Sequence, residues 1–457
     1  MPYVTFKMPT GTYIFDRATH CVHSISEDSF SELMNGKQID DIDEIKSLNI
    51  GKQGEIDTIL HPETNHLEFF LSKQIEDIVL QVTQNCNLRC NYCVYSGKYQ
   101  GRAHTLRKMP LETAYKVVDF AIEHSSETEN LNIGFYGGEP LLEYDLIRSV
   151  VEYTKLNYSG KNISYSMTTN ATLLDKEKID FFNDNNFRIT VSLDGPKAIH
   201  DLERTFPNGQ GSFDTTYNNL ILASSIVDNF EHQYFTNTVL GTHSDYRTLS
   251  YFFESDPILK NMHTSIGIIS DFGLKEPVKY SDDLYVFEQE ERMKLLLSLC
   301  NRLSVSNVST LTKTYIGELE YFYKMFTRPN FASNISHPGG PCIPGIKKTF
   351  VDVDGNLYPC EKITEDISLS IGTIYEGYNI NKAKSMLNIG QLTASMCKNC
   401  WAFNLCNICV AACYDGKTIS QSQRLLHCDK SKNAALNKIM DVIFLQENGY
   451  RFGELLI

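Results

Sequence analysis

The sequence predicts an α/β fold in which a parallel sheet carries the chemistry. Six short apolar runs between residues 78 and 269 alternate with helical patterns, and repeated β–α units of this kind place their strands side by side in parallel. The chain has 457 residues, of which 42% are apolar, so it can form two or three domains. It also has 13 cysteines, a number that predicts metal or redox chemistry.

The secondary-structure elements divide the chain into three predicted units, residues 1–75, 76–310 and 311–457. The first unit shows three short strands and two helices, at 3–7, 12–15, 21–25, 30–34 and 42–48. The strands of the parallel sheet follow at 78–83, 131–136, 163–168, 187–193, 233–239 and 264–269. Pro110 suits the first turn of a helix between two of them. In the third unit, residues 350–360 alternate around an Asp-Gly turn typical of a β-hairpin, and an amphipathic helix is predicted near 434–444.

Charge and hydropathy exclude some classes of function and location. The formal charge of −14 argues against a nucleic-acid binder, which usually carries a basic excess. No run of about 18 apolar residues predicts a membrane span, and the N-terminus lacks the pattern of a secretory signal. We therefore expect a cytoplasmic protein with no membrane partner, in which the cysteines ligate metal rather than form disulfides.

The first group of cysteines lies on the loop that leaves the first strand of the sheet. Cys86, Cys90 and Cys93 are spaced C-x3-C-x2-C. Three thiolates on one loop can hold an iron–sulfur cluster and leave one iron open, where a substrate can bind. The alternative is a structural zinc site that takes a fourth ligand from elsewhere.

With Tyr92 before its last cysteine, this loop resembles the signature loop of the radical S-adenosylmethionine (SAM) enzymes. The resemblance implies that the three cysteines hold a [4Fe–4S] cluster whose open iron binds SAM. Cleavage of SAM would then give a 5′-deoxyadenosyl radical that abstracts a hydrogen atom from the substrate. It also implies a partial (β/α)6 barrel, similar to a TIM barrel, with its catalytic loops at the carboxyl ends of the strands.

Polar and glycine residues follow several predicted strands and strengthen the resemblance. The glycines after the second strand permit close backbone approach to a ligand, and an arginine after the fourth suits a carboxylate. The resemblance assigns SAM contacts to this series, which comprises Tyr92, Gly137, Gly138, Glu139, Thr169, Asn170, Ser192, Asp194 and Arg204. Taken singly, each of these residues has a structural alternative.

The second group of eight cysteines resembles the SPASM extension of radical SAM enzymes, which carries two further [4Fe–4S] clusters. The resemblance assigns the outer cluster to Cys397, Cys400, Cys406 and Cys428, and the inner one to Cys342 and Cys360. The chain departs from the family pattern after Cys406, where Cys409 and Cys413 both occur. Cys413 is the favoured ligand of the inner cluster, and the role of Cys409 stays open. Two zinc sites of ribbon type are the alternative.

Two further features bear on mechanism. Glu361 follows Cys360, where sulfatase-maturing relatives have an Asp that acts as a base, so Glu361 is a candidate base. A solvated glutamate on a hairpin is the alternative. Cys21 and Cys300, outside both groups, are interpreted as small buried residues.

The resemblance as a whole predicts a maturase of ribosomal peptides that forms cysteine thioether crosslinks, of the sactipeptide or ranthipeptide type. Residues 1–75 resemble a leader-peptide recognition domain, which binds its peptide as an added strand, or are an ordinary cap on the barrel. The predicted cofactors are three [4Fe–4S] clusters and SAM, and the predicted partners are a precursor peptide and a donor such as flavodoxin or ferredoxin. The alternatives are an anaerobic sulfatase-maturing enzyme that makes formylglycine, another SPASM crosslinker, and a non-catalytic iron–sulfur electron carrier.

Overall fold

The computed structural model describes residues 1–52, 54–327, 334–339 and 342–453, and it confirms the predicted α/β class. The strands are β1 Tyr3–Met8, β2 Gly11–Asp16, β3 Cys21–Ile25, β4 Thr58–Ile59, β5 Asp77–Thr83, β6 Asn130–Gly137, β7 Asn162–Thr169, β8 Phe187–Ser192, β9 Tyr234–Leu240, β10 Thr264–Ile268, β11 Ile335–Ser336, β12 Thr349–Val351, β13 Asn356–Tyr358, β14 Gly372–Thr373 and β15 Gly377–Tyr378.

Helices occupy most of the connections. They are α1 Glu27–Met34, α2 Asp43–Ser47, α3 Leu67–Lys73, α4 Leu111–Glu123, α5 Tyr144–Asn157, α6 Lys176–Asp184, α7 Lys197–Glu203, α8 Phe213–Ile226, α9 Phe230–Gln233, α10 Tyr246–Ser255, α11 Asp282–Leu299, α12 Thr310–Lys313, α13 Tyr315–Phe326, α14 Ile380–Leu387, α15 Ala394–Cys397, α16 Gln421–Leu426 and α17 Cys428–Glu447. None of the helices in the described ranges is long and apolar enough to cross a bilayer.

The six parallel strands β5 to β10 stand in sequence order across the main sheet. Each crossover contains at least one helix, as parallel neighbours require. The residues of β5 that face the helices are fully buried, for example Ile78 and Leu80, and they join the side chains of α4 and α5 in one core cluster. The opposite face of this sheet bears the polar side chains of the site.

The predicted hairpin extends the same sheet. Strand β12 pairs in parallel with β5, with Phe350 opposite Val79, and then antiparallel with β13. Asp352 accepts backbone hydrogen bonds of 2.9 Å from Asp354 and Asn356 and so closes the turn. The C-terminal cysteine region is therefore joined to the parallel strands by main-chain hydrogen bonds, in one sheet of ten strands.

The N-terminal strands form a separate antiparallel sheet with β2 in the centre. One face, which includes Ile14, packs on α1 and α2. The other face, which includes Phe15, packs on α13, α17 and the loop that carries Trp401. Because both faces are covered, this unit is docked on the C-terminal region.

The two isolated cysteines differ from the prediction. Cys21 is exposed, because it begins the edge strand β3, and Cys300 is only partly buried at the end of α11. Cys300 packs against the core cluster of Leu296, Leu319 and Leu445, whereas Cys21 does not face a core. The interpretation of Cys21 as a buried residue was therefore wrong.

Candidate functional site

The loop after β5 carries three thiols that have donors suited to thiolates. The backbone N–H of Leu88 donates to the sulfur of Cys86 over 3.3 Å, and that of Tyr95 donates to the sulfur of Cys93 over 3.4 Å. Burial raises the pKa of Cys86 to about 12, so this thiolate needs compensating positive charge. Such sulfurs fit an iron–sulfur cluster, whose irons provide that charge.

The fit of these thiols to an iron–sulfur cluster does not depend on a site for a single metal ion. Across residues 1–52, 54–327, 334–339 and 342–453, no three His, Cys, Asp or Glu side chains are arranged to hold one metal ion. The fit to a cluster depends on the thiols' hydrogen-bond donors and on a neighbouring cation, because the Nη1 atom of Arg204 lies 4.0 Å from the sulfur of Cys90.

Three predicted SAM-contact residues meet beside this loop. The Nε atom of Arg204 donates to Asp194 over 2.7 Å, and the hydroxyl of Tyr92 donates to the same carboxylate oxygen. The backbone of Val239 donates to the other oxygen over 2.9 Å. Asp194 is therefore bonded within the protein, and it holds Arg204 against Cys90. Ser192 lies half-buried at the end of β8, on the same edge of the sheet.

Glu139 organises the next two strand ends. Its carboxylate accepts hydrogen bonds from the hydroxyl of Thr169 over 2.6 Å and from the backbone of Asn170 over 2.8 Å. Burial raises the pKa of Glu139, and these hydrogen bonds oppose the rise. The amide nitrogen of Asn170 lies 3.9 Å from the sulfur of Cys86. Sequence reasoning singled out all three residues, but it did not show that Glu139 is bonded to the other two.

The two glycines at the end of β6 lie against the loop of the first three cysteines. A Cβ atom on Gly137 would lie 2.1 Å from the carbonyl oxygen of Thr83, and one on Gly138 would lie 2.0 Å from that of Asn85. The close approach seen here is to the backbone of the cysteine loop, and the predicted approach to a ligand stays a prediction. The loop also accepts a backbone hydrogen bond of 2.9 Å from Glu139.

A cavity of about 670 Å³ lies on the polar face of the parallel sheet. The interiors of closed barrels are usually filled with bulky apolar side chains, whereas this sheet leaves an open cavity with both apolar and polar residues in its wall. Each of the six strands supplies a polar residue to its wall: Asp77, Asn132, Ser166, Arg188, Asn237 and Ser265.

Glu361 lies in the wall of the same cavity. One of its carboxylate oxygens is buried without a hydrogen-bond partner, and its other oxygen lies 3.4 Å from the Nζ atom of Lys348. An oxygen without a partner in a cavity wall is free to accept a proton from a bound molecule. Glu361 is thus only partly exposed to solvent, and its role as a base stays a prediction.

A buried network that the sequence did not reveal holds Glu361 in place. Arg102, on the loop after the first cysteines, donates over 2.8 Å to the carbonyl oxygen of Glu361. Its Nε atom lies 3.4 Å from Glu365, which also accepts a hydrogen bond of 2.6 Å from the hydroxyl of Tyr95. No motif marked these residues, since their partners are more than 250 positions away in the chain.

The C-terminal cysteines fall into two neighbourhoods. Burial and then the charge of nearby Cys409 raise the pKa of Cys342. Burial raises the pKa of Cys360 to about 11, and Glu361, Cys342 and Cys409 add to the rise.

Cys413 is buried beside Arg424, whose Nη1 atom lies 3.9 Å from its sulfur. Burial raises the pKa of Cys413 to about 11, and Cys409 and Cys406 add to the rise, so Cys413 lies near both groups. Arg424 was not predicted, because nothing in the local sequence distinguishes it from an ordinary helix residue.

Arg424 also links Cys413 to the outer group. Its Nη2 atom lies 3.9 Å from the sulfur of Cys406, and Cys406 and Cys397 both act on the pKa of Cys428 after burial, in the direction that raises it. Burial raises the pKa of Cys400, and the same two cysteines add to the rise. The four cysteines predicted for the outer cluster are therefore neighbours.

A family model matches most of the parallel sheet. The family model described as the radical SAM superfamily matches residues 80–249, so the chain carries a radical SAM domain. Proteins of this superfamily bind SAM and a [4Fe–4S] cluster. The matched residues contain the cysteine loop and all the predicted SAM contacts.

The chain is also similar to one group of named proteins over most of its length. It is 26% identical over 366 residues to a cysteine-type anaerobic sulfatase-maturating enzyme of Clostridium novyi (strain NT), which covers 73% of this chain and 87% of the relative. The solved structure of native anSMEcpe with bound AdoMet covers 80% of this chain and 99% of its own, at 20% identity and a TM-score of 0.57.

A second solved structure, native anSMEcpe with bound AdoMet and Cp18Cys peptide, has a TM-score of 0.58 at 20% identity. It covers 79% of this chain and 99% of its own. The prediction of a peptide maturase that forms thioether crosslinks was therefore wrong. The similarity to sulfatase-maturating enzymes favours the alternative, although Glu361 stands where that group was expected to have Asp.

Proposed function

Because the chain carries a radical SAM domain, we propose that it oxidises a cysteine side chain of a polypeptide to formylglycine. The observation that supports this proposal most is the extent of the similarity to a cysteine-type enzyme. The match covers 73% of this chain and 87% of the relative. It therefore extends well beyond residues 80–249, the part that the radical SAM family model matches.

The reaction balances with the groups that the site can hold. SAM and its cluster, when bound, would supply the radical that removes one hydrogen atom from the cysteine Cβ. Glu361 takes the proton of the thiol, and the C-terminal cysteines would hold a cluster that could accept the remaining electron, which leaves a thioaldehyde on the substrate. Water then replaces sulfur by oxygen, which gives the aldehyde and hydrogen sulfide.

A cysteine substrate suits the proposed base better than a serine. A cysteine thiol has an ordinary pKa near 8.5. A carboxylate that lies close to the thiol in the cavity can therefore remove its proton. A serine hydroxyl is a far weaker acid. The unpartnered oxygen of Glu361 in the cavity wall is the structural support for this step.

The remaining assignments are parts of the same proposal. Cys86, Cys90 and Cys93 hold the SAM cluster, with Tyr92, Asp194 and Arg204 as its neighbours. Two further [4Fe–4S] clusters are held by the C-terminal cysteines. The unit boundaries near residues 75 and 310, the recognition of a peptide by residues 1–75, and an external donor such as flavodoxin or ferredoxin stay predictions.

The test is an anaerobic assay on reconstituted protein with SAM, dithionite and a cysteine-containing sulfatase peptide. The expected product has lost one sulfur and two hydrogens and gained one oxygen, and it reacts with a hydrazide. The Cys90→Ala variant is the control and gives neither this product nor 5′-deoxyadenosine. A peptide that loses only two hydrogens, or that stays unchanged while 5′-deoxyadenosine accumulates, contradicts formylglycine formation.

A further inference from the structure

Arg188 is an exposed cation in the cavity wall. It lies on β8 opposite Ser166 of the neighbouring strand, and both side chains line the cavity. Among the residues that the structure describes, its guanidinium makes no hydrogen bond and no ion pair. Its exposed guanidinium is solvated, and an acidic group that enters the cavity can take the place of this water, because a guanidinium matches a carboxylate with two parallel hydrogen bonds.

The nearest carboxylate of the wall does not fill this role. The side-chain amide of Asn132 donates to Asp77 over 2.7 Å and to Ser166 over 2.9 Å. Burial raises the pKa of Asp77, and Arg188 has only the smallest of the opposing effects. Asp77 is thus tied to the neighbouring strand, and the guanidinium of Arg188 stays available.

The charge of the wall differs in sign from that of the whole protein. The cavity is lined by three cations, Arg188, Lys348 and Lys362, and by two carboxylates, Asp77 and Glu361. The chain as a whole has a formal charge of −14. A cationic recess in an acidic protein attracts anionic groups locally and repels them elsewhere, which favours a substrate whose acidic residue enters this cavity.

We infer that Arg188 binds an aspartate or glutamate side chain of the polypeptide substrate, and so sets its specificity. This inference rests on the proposed function, which makes the occupant a polypeptide. A carboxylate can accept two parallel hydrogen bonds from a guanidinium. Neither a free phosphate nor a nucleotide is needed to explain the site.

The position of Arg188 along its strand limits where that acidic residue stands. The reacting cysteine must lie at the carboxyl ends of the strands, where Ser192 ends β8. Ser192 follows Arg188 by four positions, a span of about 13 Å at ~3.3 Å per residue. An extended substrate covers the same length in about four residues, and the arginine side chain shortens it, so the acidic residue lies about two to four positions from the cysteine.

The test uses a degenerate library of peptides of about eleven residues with a fixed central cysteine, long enough to span the cavity. Peptides retained by the immobilised, reconstituted protein with SAM are sequenced. We expect about tenfold enrichment of Asp and Glu at positions two to four residues from the cysteine, equivalent to about 1.4 kcal/mol. Arg188→Gln abolishes the enrichment, and Arg188→Glu replaces it by enrichment of Lys and Arg.

The matched control is Arg148→Gln, since Arg148 lies on the outer helix α5 with a half-exposed side chain and this variant should keep the wild-type selection. A wild-type selection without acidic residues, or one that Arg188→Gln retains, overturns the inference. Mass spectrometry of the selected peptides after reduction tests the proposed function separately. Acidic peptides that are retained but not oxidised would leave the role of Arg188 intact and contradict formylglycine formation.

Discussion

The Nε atom of Arg102 lies 3.4 Å from a carboxylate oxygen of Glu365, and both side chains are more than nine-tenths buried. Arg102 belongs to the loop of the first three cysteines, and Glu365 follows Cys360 by five residues. The ion pair therefore ties the proposed SAM-cluster loop to the segment that carries the proposed base. The two loops are held at a fixed separation by this pair and by the Arg102 hydrogen bond to the carbonyl of Glu361.

We predict that Arg102→Gln lowers the free energy of unfolding by about 3–5 kcal/mol, because it leaves the buried charge of Glu365 uncompensated. The matched control is Arg107→Gln, whose ion pair with Asp354 is half-exposed and should contribute about 1 kcal/mol or less. Urea denaturation under anaerobic conditions measures both changes. Equal destabilisation by the two variants would contradict a structural role for the buried pair.

Cys90→Ala is expected to remove the SAM-cleaving cluster while the C-terminal clusters remain. Its sulfur lies beside Arg204 and among the first three thiols, and a cluster that has lost one of three protein ligands is released. Iron analysis should show about four irons fewer per chain, with no 5′-deoxyadenosine. Cys21→Ala, at an exposed thiol outside both groups, should keep the full iron content.

Glu361→Gln is expected to lower aldehyde formation at least about 100-fold, the usual contribution of a positioned general base. Formation of 5′-deoxyadenosine should continue, because the cysteine loop is unchanged. Glu376→Gln, at an exposed position of the same region, should retain normal turnover. Full turnover by Glu361→Gln would leave the carboxylate without a role as base.

The fold could be predicted further than the details of the site. Periodicity and the Asp-Gly turn were enough for the six strands and the hairpin, because these depend on local residues. The sequence did not predict the roles of Arg102, Arg188 and Arg424. Their partners or the cavity that they line exist only in the folded chain. The sequence motifs also do not distinguish crosslinking from formylglycine formation, because both chemistries use the same cysteine spacing.

Cys409→Ser is expected to remove more of the inner-cluster signal in electron paramagnetic resonance spectra than Cys413→Ser does. Cys409 contributes to the raised pKa of both Cys342 and Cys360. Cys413 lies beside Arg424, and its own pKa is raised by burial, with smaller effects of Cys409 and Cys406. Spectra of the reduced variants, with the SAM cluster removed by Cys90→Ala, would separate the signals. The opposite ranking would return the inner-cluster ligand to Cys413.

His200 is expected to make stability depend on pH. Its Nδ1 atom accepts a hydrogen bond from the backbone of Asp194, and its Nε2 atom lies 3.0 Å from the hydroxyl of Ser212. Burial, with a smaller effect of Arg204, lowers the pKa of His200 to about 4. The carboxylates of Asp194 and Asp201 oppose this shift, and Lys197 adds to it.

Because the folded-state pKa of His200 lies below the unfolded value near 6.5, its contribution is complete above pH 6.5 and is lost as the pH falls towards 4. At pH 5 the loss should be about 2 kcal/mol relative to pH 7. Urea denaturation at the two pH values measures this loss, and His200→Gln should reduce the difference by that amount. An unchanged difference in the variant would show that other groups cause it.

The pairing of β12 with β5 limits how this enzyme can be engineered or recombined. A truncation after residue 310 would expose the main-chain groups along one edge of β5 and offer them to other chains for aggregation. Exchange of the C-terminal region with that of another protein would succeed only if the incoming strand has the register that sets Phe350 opposite Val79. The parallel strands and the C-terminal cysteine region should therefore be transferred together, although their cysteine motifs can be read separately in the sequence.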